Sequence, residues 1–332
     1  MEYRQLGSST VKVSEIALGA WAIGGWLWGG TDDAGALAGI RKALDLGMTS
    51  IDTAPVYGFG HSEQVVGRAI RGVARDKVQL LTKFGLRWDL PGKGADHFDS
   101  EDLQGRPVRI AKYAARASVL EECERSLQRL GTDHIDLYQQ HWPDPSTPVE
   151  ETMEACAALL KQGKVRAVGV SNYTVDMMER ARKIVPLASN QPPYSMLRRD
   201  IEADMVPYCL KHRIGILAYS PLQNGILTGK VPMDRVFPET DLRSRNRFYQ
   251  PGNRRRILAF LDDLRPIAAA HQATLAQLVI CWTIRRPGVT AALVGVRNPA
   301  QAEENAGAAA FKLADAETRE INRRLDSLRL DT

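Results

Sequence analysis

Four side chains in the first half of the sequence have the types and spacing for proton transfer to an oxygen: Asp52, Tyr57, Lys83 and His141. Each stands at or just after the end of a β-rich run. Asp52 lies near the end of 49–53, Tyr57 in the loop beyond it, Lys83 at the end of 78–83, and His141 directly after 135–140. A free phenol, with a pKa of about 10, is a poor acid and base near neutrality. An ammonium beside it stabilises the phenolate and draws that pKa down, and a carboxylate holds the ammonium in place. His141 adds a group able to orient a carbonyl or share the proton. Together the set suits protonation of a carbonyl oxygen while hydride arrives at its carbon. Singly, each residue has a plainer reading: Asp52 as a loop or cap residue, Tyr57 as a rim aromatic, Lys83 as a solvated charge, His141 as a satisfied core imidazole. Their joint placement favours the chemistry.

The elements that must position them alternate. Strand-like runs at 16–18, 49–53, 78–83, 135–140, 165–171, 188–191, 215–220 and 291–296 are each followed by helical periodicity. The helices are expected near 32–46, 62–71, 109–130, 148–161, 175–183, 199–211, 254–270 and 275–284, with a last one after Asn298. Eight strands spaced for right-handed crossovers predict an α/β fold, a (β/α)8 barrel whose C-terminal strand ends carry the site. The whole of 1–332 is expected to form one barrel domain. Asp32 and Asp33, Ser62-Glu63, and Pro148 with Glu150 and Glu151 supply the expected helix starts. Segments 3–6 and 11–13 flank Gly7-Ser8-Ser9 and predict a hairpin covering the bottom of the barrel. The rival, a doubly wound sheet, requires a glycine fingerprint after its first strand. Gly58-Phe59-Gly60-His61-Ser62-Glu63 lacks the third glycine, and Gly225 to Lys230 lacks the P-loop spacing.

Composition narrows the function classes. A hydrophobic content of 44% with 25% charged residues is that of a globular chain. The net charge of +5 is modest, and the local excess at Arg243, Arg245, Arg247, Arg254, Arg255 and Arg256 forms no basic stripe with aromatic context. A small-molecule partner is expected, with no nucleic-acid or membrane partner. Cys123, Cys156, Cys209 and Cys281 are far apart without a CxxC pair, and read as buried, reduced thiols. No apolar leader follows Met1 and no run is long enough to span a bilayer, so a cytoplasmic location is expected. A metal-dependent barrel would need clustered ligands at strand ends. His61, His97, His134, His212 and His271 do not fall there in the sequence pattern, and no metal is expected.

Several motifs in order carry a family resemblance. Ile51-Asp52-Thr53-Ala54-Pro55-Val56-Tyr57-Gly58, Leu81-Thr82-Lys83, Asp136-Leu137-Tyr138-Gln139-Gln140-His141-Trp142-Pro143 and Val168-Gly169-Val170-Ser171-Asn172 resemble the signatures of aldo-keto reductases. The likeness runs from Leu18-Gly19 to Asn305. Gln191-Pro192-Pro193-Tyr194, Tyr219-Ser220-Pro221-Leu222 and Leu227-Thr228-Gly229-Lys230 are similar to the bacterial general-stress branch related to potassium-channel β subunits. The resemblance implies NADPH-dependent reduction of aldehydes or ketones, with hydride from C4 of the nicotinamide and Tyr57 as general acid. Lys83 and Asp52 would be its tuning pair and His141 the carbonyl-orienting partner. A redox sensor or regulatory subunit with slow turnover would keep the same residues.

The resemblance also implies a cofactor site. Ser171, Asn172 and Gln191 would bind the carboxamide, with Asp52 beside them, and Tyr219 would stack on the ring above Gly19, Ala20 and Trp21. Ser220, Pro221, Leu222, Asn224, Gly225, Leu227, Gly229 and Lys230 would wrap the pyrophosphate. Gly295, Arg297, Gln301, Glu304 and Asn305 match the adenosine site, where Arg297 would meet a 2′-phosphate; the Lys-Ser pair some members carry there is missing. The substrate pocket is expected from Trp21, Trp28, Tyr57, Trp88, His141 and Trp142, with Trp26 on the same face, and suits a hydrophobic carbonyl compound. Segment 85–108 reads as a long flexible loop, and 241–256 as a flap over cofactor phosphates.

Overall fold

The computed structural model describes residues 1–239 and 241–331; Thr240 and Thr332, inside the expected 1–332 domain, lie outside the described residues. A hairpin of β1 (Tyr3–Gln5) and β2 (Lys12–Ser14) precedes the first barrel strand, β3 (Ile16–Gly19). Next come α1 (Asp33–Asp45), β4 (Ser50–Asp52), α2 (His61–Ala69) and β5 (Gln79–Phe84). Three short strands follow, β6 (Leu86–Arg87), β7 (Ala95–Glu101) and β8 (Pro107–Lys112), and then α3 (Arg116–Leu130). The middle of the chain runs β9 (Leu137–Gln140), α4 (Val149–Lys161), β10 (Val168–Ser171), α5 (Val175–Arg182), β11 (Leu187–Gln191) and α6 (Met205–His212). It ends with β12 (Gly215–Tyr219), α7 (Pro251–Ala270), α8 (Leu275–Ile284), β13 (Val289–Gly295), α9 (Pro299–Gly307) and α10 (Asp315–Ser327).

β3, β4, β5, β9, β10, β11, β12 and β13 pair in parallel and close into a barrel, as the alternation predicts. Their residues are buried on both faces, which explains continuous apolar runs where a half-exposed strand would alternate. Inward-pointing Ala17, Leu81, Leu137, Leu217, Ala291 and Leu293 form one cluster with Leu6, Val11 and Val13 of the hairpin. The hairpin therefore plugs the barrel from below, and the opposite mouth is left for chemistry. Outward-pointing Ile51, Leu80, Tyr138 and Val168 pack under the helices.

The helix starts are partly as expected. Asp32 caps α1 by accepting from the Gly35 amide, and Glu150 and Glu151 fill the first turn of α4. At α2 the expected cap is corrected: left-handed Gly60 precedes the helix, while Ser62 and Glu63 turn inward. Ser62 donates to the Ala20 carbonyl, and Glu63 accepts from Thr82 and Arg129.

Two larger expectations are also corrected. The segment 85–108 is no open loop, since β6, β8 and β7 form an antiparallel sheet, hereafter the flap. The third helix begins at Arg116, and 109–112 belongs to a strand. Ile110, fully buried with Trp26, Val56 and Leu86, gains more from that packing than the weak helical pattern of its neighbours offers. The terminal α10, absent from the expected elements, buries Ile321 and Leu325. Among the described residues no single helix is long and apolar enough to cross a membrane.

Candidate active site

The four sequence-derived residues meet at the barrel mouth. Lys83, at the end of β5, is fully buried, and its Nζ donates to Asp52 Oδ1 at 2.5 Å, the Thr53 carbonyl at 3.0 Å and the Tyr57 hydroxyl at 3.3 Å. The Tyr57 hydroxyl lies 3.5 Å from His141 Nε2, just past the end of β9. Tyr57 itself sits in the loop after β4, held by a close backbone crossing. A Cβ on Gly24 would strike the Tyr57 backbone, and one on Gly58, at φ +65°, would strike Gly24. The loops after β3 and β4 thereby lock each other and fix where the phenol points.

Asp52 is tied down in turn. Its Oδ2 accepts from Gln191 at 2.9 Å and from Gln139 at 3.3 Å. Gln139 was missed by sequence reasoning, although its position near the end of a barrel strand is the signal that marks the others. Ser171 donates to the Gln191 carbonyl at 2.8 Å, and Asn172 donates to the His141 carbonyl at 3.1 Å. Tyr219 donates to Asn172 Oδ1 at 2.9 Å. With Lys83, one polar network thus spans six strand ends, and Asn172 enters it at φ 60°, a left-handed conformation that asparagine tolerates.

Burial decides the electrostatics. It opposes the charge on Lys83, but the Asp52 carboxylate and the Tyr57 oxygen outweigh it and hold the ammonium above its ordinary pKa. For Tyr57 the balance corrects the sequence expectation. Burial, its largest influence, overcomes the pull of Lys83, and Asp52 adds to it, so the phenol titrates above its ordinary value. The hydroxyl therefore keeps its proton across the neutral range. Burial, then Lys83, then His97, push His141 well below the usual imidazole range, leaving it neutral.

Above this cluster opens a cavity of 650 Å³. At its inner end are Gly19, Trp21, Asp52, Tyr57, His141, Ser171, Asn172, Gln191 and Tyr219. A groove continues past Ser220, Pro221, Leu222, Asn224, Gly225 and Lys230 to Gly295, Arg297, Gln301, Glu304 and Asn305. Ser220, Gln223, Asn224 and Gly225 all have positive φ, giving an irregular coil after β12. Room for a Cβ stays open at Gly225, where only the Tyr249 hydroxyl comes near, and at Gly295. Lys230 reaches across the groove to Glu304, 2.7 Å from both carboxylate oxygens. Arg297 has no ion-pair partner among the described residues. Arg243 pairs with Asp241 and lies over the rings of Phe237 and Trp28, joining the arginine-rich segment to the cavity.

Several expected positions fall elsewhere. Ala20 and Leu227 are fully buried and do not line the cavity, and Gly229 packs against Leu275 behind it. Lys83 does not line the cavity and acts on it through Tyr57 and Asp52. Trp88 stands behind the wall, edge-on to Phe59 at 5.5 Å, because the flap turns it inward onto an aromatic cluster. Trp21, Trp28 and Trp142 line the cavity as expected, and so does Trp26. The indole N–H groups of Trp21 and Trp28 are buried without a partner among the described residues, an uncommon state for a polar group. The flap contributes Leu86, His97 and Phe98. His97 is a correction, for the sequence pattern put it away from the mouth.

Comparison with known proteins gives the family and the fold. The model of the aldo/keto reductase family matches residues 15–326. The chain is 39% identical over 329 residues to aldo-keto reductase YhdN of Bacillus subtilis, covering 98% of this chain and 94% of that protein. It is 33% identical over 317 residues to an NADH-specific methylglyoxal reductase of Escherichia coli, covering 94% of each. Among solved structures, a glycerol dehydrogenase from Gluconobacter oxydans superposes with a TM-score of 0.89 at 37% identity, covering 99% of this chain and 97% of that one.

Proposed function

The chain belongs to the aldo/keto reductase family of carbonyl oxidoreductases, and on that premise we propose that it reduces aldehydes or ketones with NADPH, using Tyr57 as the general acid. The observation that carries this reading is the Tyr57 hydroxyl at the cavity floor, 3.3 Å from Lys83 Nζ and 3.5 Å from His141 Nε2. Burial keeps the proton on Tyr57, which is the state an acid needs before the reaction. As negative charge grows on the carbonyl oxygen, Tyr57 hands over its proton, and the Lys83 ammonium stabilises the phenolate left behind. Neutral His141 donates through Nε2 to the same oxygen and sets its orientation. Asp52 holds Lys83 in place, and Gln191 and Gln139 hold Asp52.

A reduced nicotinamide bound at the inner end would supply the hydride. The residues fit it: Ser171, Asn172 and Gln191 face that end, and the coil from Ser220 to Gly225 offers backbone amides with Cβ-free space. Arg297, a cation without an ion-pair partner among the described residues and beside Gly295 and Gln301, supports a 2′-phosphate and hence NADPH, although the Escherichia coli relative is named for NADH. We read 1–332 as one domain acting as a cytoplasmic monomer, consistent with four free, buried cysteines.

Stopped-flow mixing tests the proposal. NADPH fluorescence should change on binding, and 4-nitrobenzaldehyde should then oxidise the bound cofactor. NADPH should bind about tenfold more tightly than NADH, with Arg297→Ala removing most of the difference. Fast single turnover with slow steady state would favour a sensor. Absence of NADPH binding would end the reading.

A further inference from the structure

Three buried side chains at the barrel mouth close a triangle of hydrogen bonds. Gln191 Nε2 donates to Asp52 Oδ2 at 2.9 Å and to Gln139 Oε1 at 3.2 Å, and Gln139 Nε2 donates to the same Asp52 oxygen at 3.3 Å. Asp52 and Gln191 line the cavity, while Gln139, fully buried, stands behind them. The strand pattern puts it there. Leu137 points into the barrel, so Gln139, two residues on, points the same way, and it is paired with Lys83 on β5. On its other side it is paired with Gly169 on β10, where a Cβ would come within 3.1 Å of the Gln139 Cγ. That glycine leaves room for the long amide.

Charge fixes how both amides turn. An ionised carboxylate only accepts hydrogen bonds, and Asp52 is ion-paired with Lys83. Both glutamines therefore turn their NH2 groups to it, which leaves the Gln139 oxygen facing Gln191. Gln191 then has both amide hydrogens engaged, and its Oε1 has no protein partner among the described residues. A single hydrogen bond would let that amide swing about the bond, whereas two hold its plane. What Gln191 offers the cavity is an acceptor held in one direction.

We propose that Gln139 is a positioning residue for the cofactor: together with Asp52 it fixes the plane of the Gln191 amide, so that Gln191 Oε1 accepts an N–H of the nicotinamide carboxamide. This rests on the NADPH reading, and it gives a residue outside the cavity a share in cofactor recognition. The same triangle ends on Asp52, which holds Lys83 beside Tyr57. Seating of the carboxamide and support of the proton donor thus share one set of hydrogen bonds.

The test compares NADPH with its reduced 3-acetylpyridine analogue, in which a methyl group replaces the carboxamide NH2, by quenching of the tryptophans that line the cavity. The native protein should bind NADPH about tenfold more tightly, since the analogue leaves the Gln191 acceptor unpaired. Gln139→Met keeps the length of the side chain and loses its polar atoms. It should weaken NADPH binding by about 3- to 10-fold and the analogue by less than about twofold, so that most of the preference disappears. Gln139→Leu, a smaller apolar replacement, should do the same. A merely structural role would weaken both ligands alike. Equal binding of the two ligands by the native protein would overturn the proposal, and so would a preference left unchanged in both variants. Failure of the native protein to bind either ligand would instead reject the underlying NADPH reading.

Discussion

The two walls of the cavity are built differently. The wall at the strand ends is made of Asp52, Gln191 and Ser171, with Lys83 behind them, all nearly inaccessible, on strands whose backbones are paired on both sides. Each side chain has a partner that has a partner. The flap wall is a three-stranded sheet paired to itself, with Asp96, Phe98, Asp99 and Glu101 exposed along β7. It is fastened by side chains: Trp26 stacks on Phe98 at 5.8 Å and donates to Ser100, and Arg87 donates to Ser118 of α3. The rigid wall suits groups that must meet one oxygen in every turnover. The attached wall can change shape and sequence without disturbing them, and so suits selection among substrates.

The largest effect should come from the first wall. Tyr57→Phe removes the proposed proton donor and little else, and should slow the chemical step by about 10²-fold or more for every carbonyl alike. Cofactor binding should survive, which a fluorescence titration would check. If the loss depended strongly on the aldehyde, the division of labour between the walls would be wrong.

A moderate effect should come from the second. Trp26 holds the flap through Phe98, Phe59 and Ser100. Trp26→Leu should raise KM by about 3- to 10-fold and reorder substrates, with kcat moved less, since the lost contacts are worth about 1 kcal/mol. Equal losses in kcat for all substrates would show instead that the flap supports the reacting groups.

The same contrast explains what could be read from the sequence. Asp52, Lys83 and His141 were legible because a barrel strand is a strong apolar signal and its end is a defined place. Gln139 had the same signal but a less obviously reactive side chain. The direction of the Tyr57 shift was not legible, because it turns on how deeply the phenol is buried. The flap was illegible for a different reason. Ala95-Asp96-His97-Phe98-Asp99-Ser100-Glu101 lacks alternating apolar residues and owes its strand to Trp26, distant in the chain. The β-bulge between Asp96 and Phe98 leaves no trace in composition, and Trp88 was misplaced because the turn of the flap decides which aromatic faces the cavity.

The smallest effect joins the two walls at their root. Glu122, buried in α3, accepts the Gly85 amide at 3.1 Å and the Ser118 hydroxyl at 3.1 Å, and faces Arg87 of β6 at 3.8 Å. Burial pushes its carboxyl up to about 8, against the pull of Arg87, the Gly85 amide and Ser118. Unfolded, it titrates at 4.5. Between those values the folded chain binds the extra proton, so stability falls as pH rises through that window. The loss from this group should be about 1 kcal/mol or more by pH of about 8.5, since one pKa unit corresponds to ~1.4 kcal/mol. Glu122→Gln keeps the shape and an acceptor but cannot ionise. Denaturant unfolding at about pH 5.5 and 8.5 should show the native chain losing more stability than the variant over that interval. An identical pH slope in both would mean that Glu122 stays charged beside Arg87, and that the flap root is held by an ion pair like the one under Tyr57.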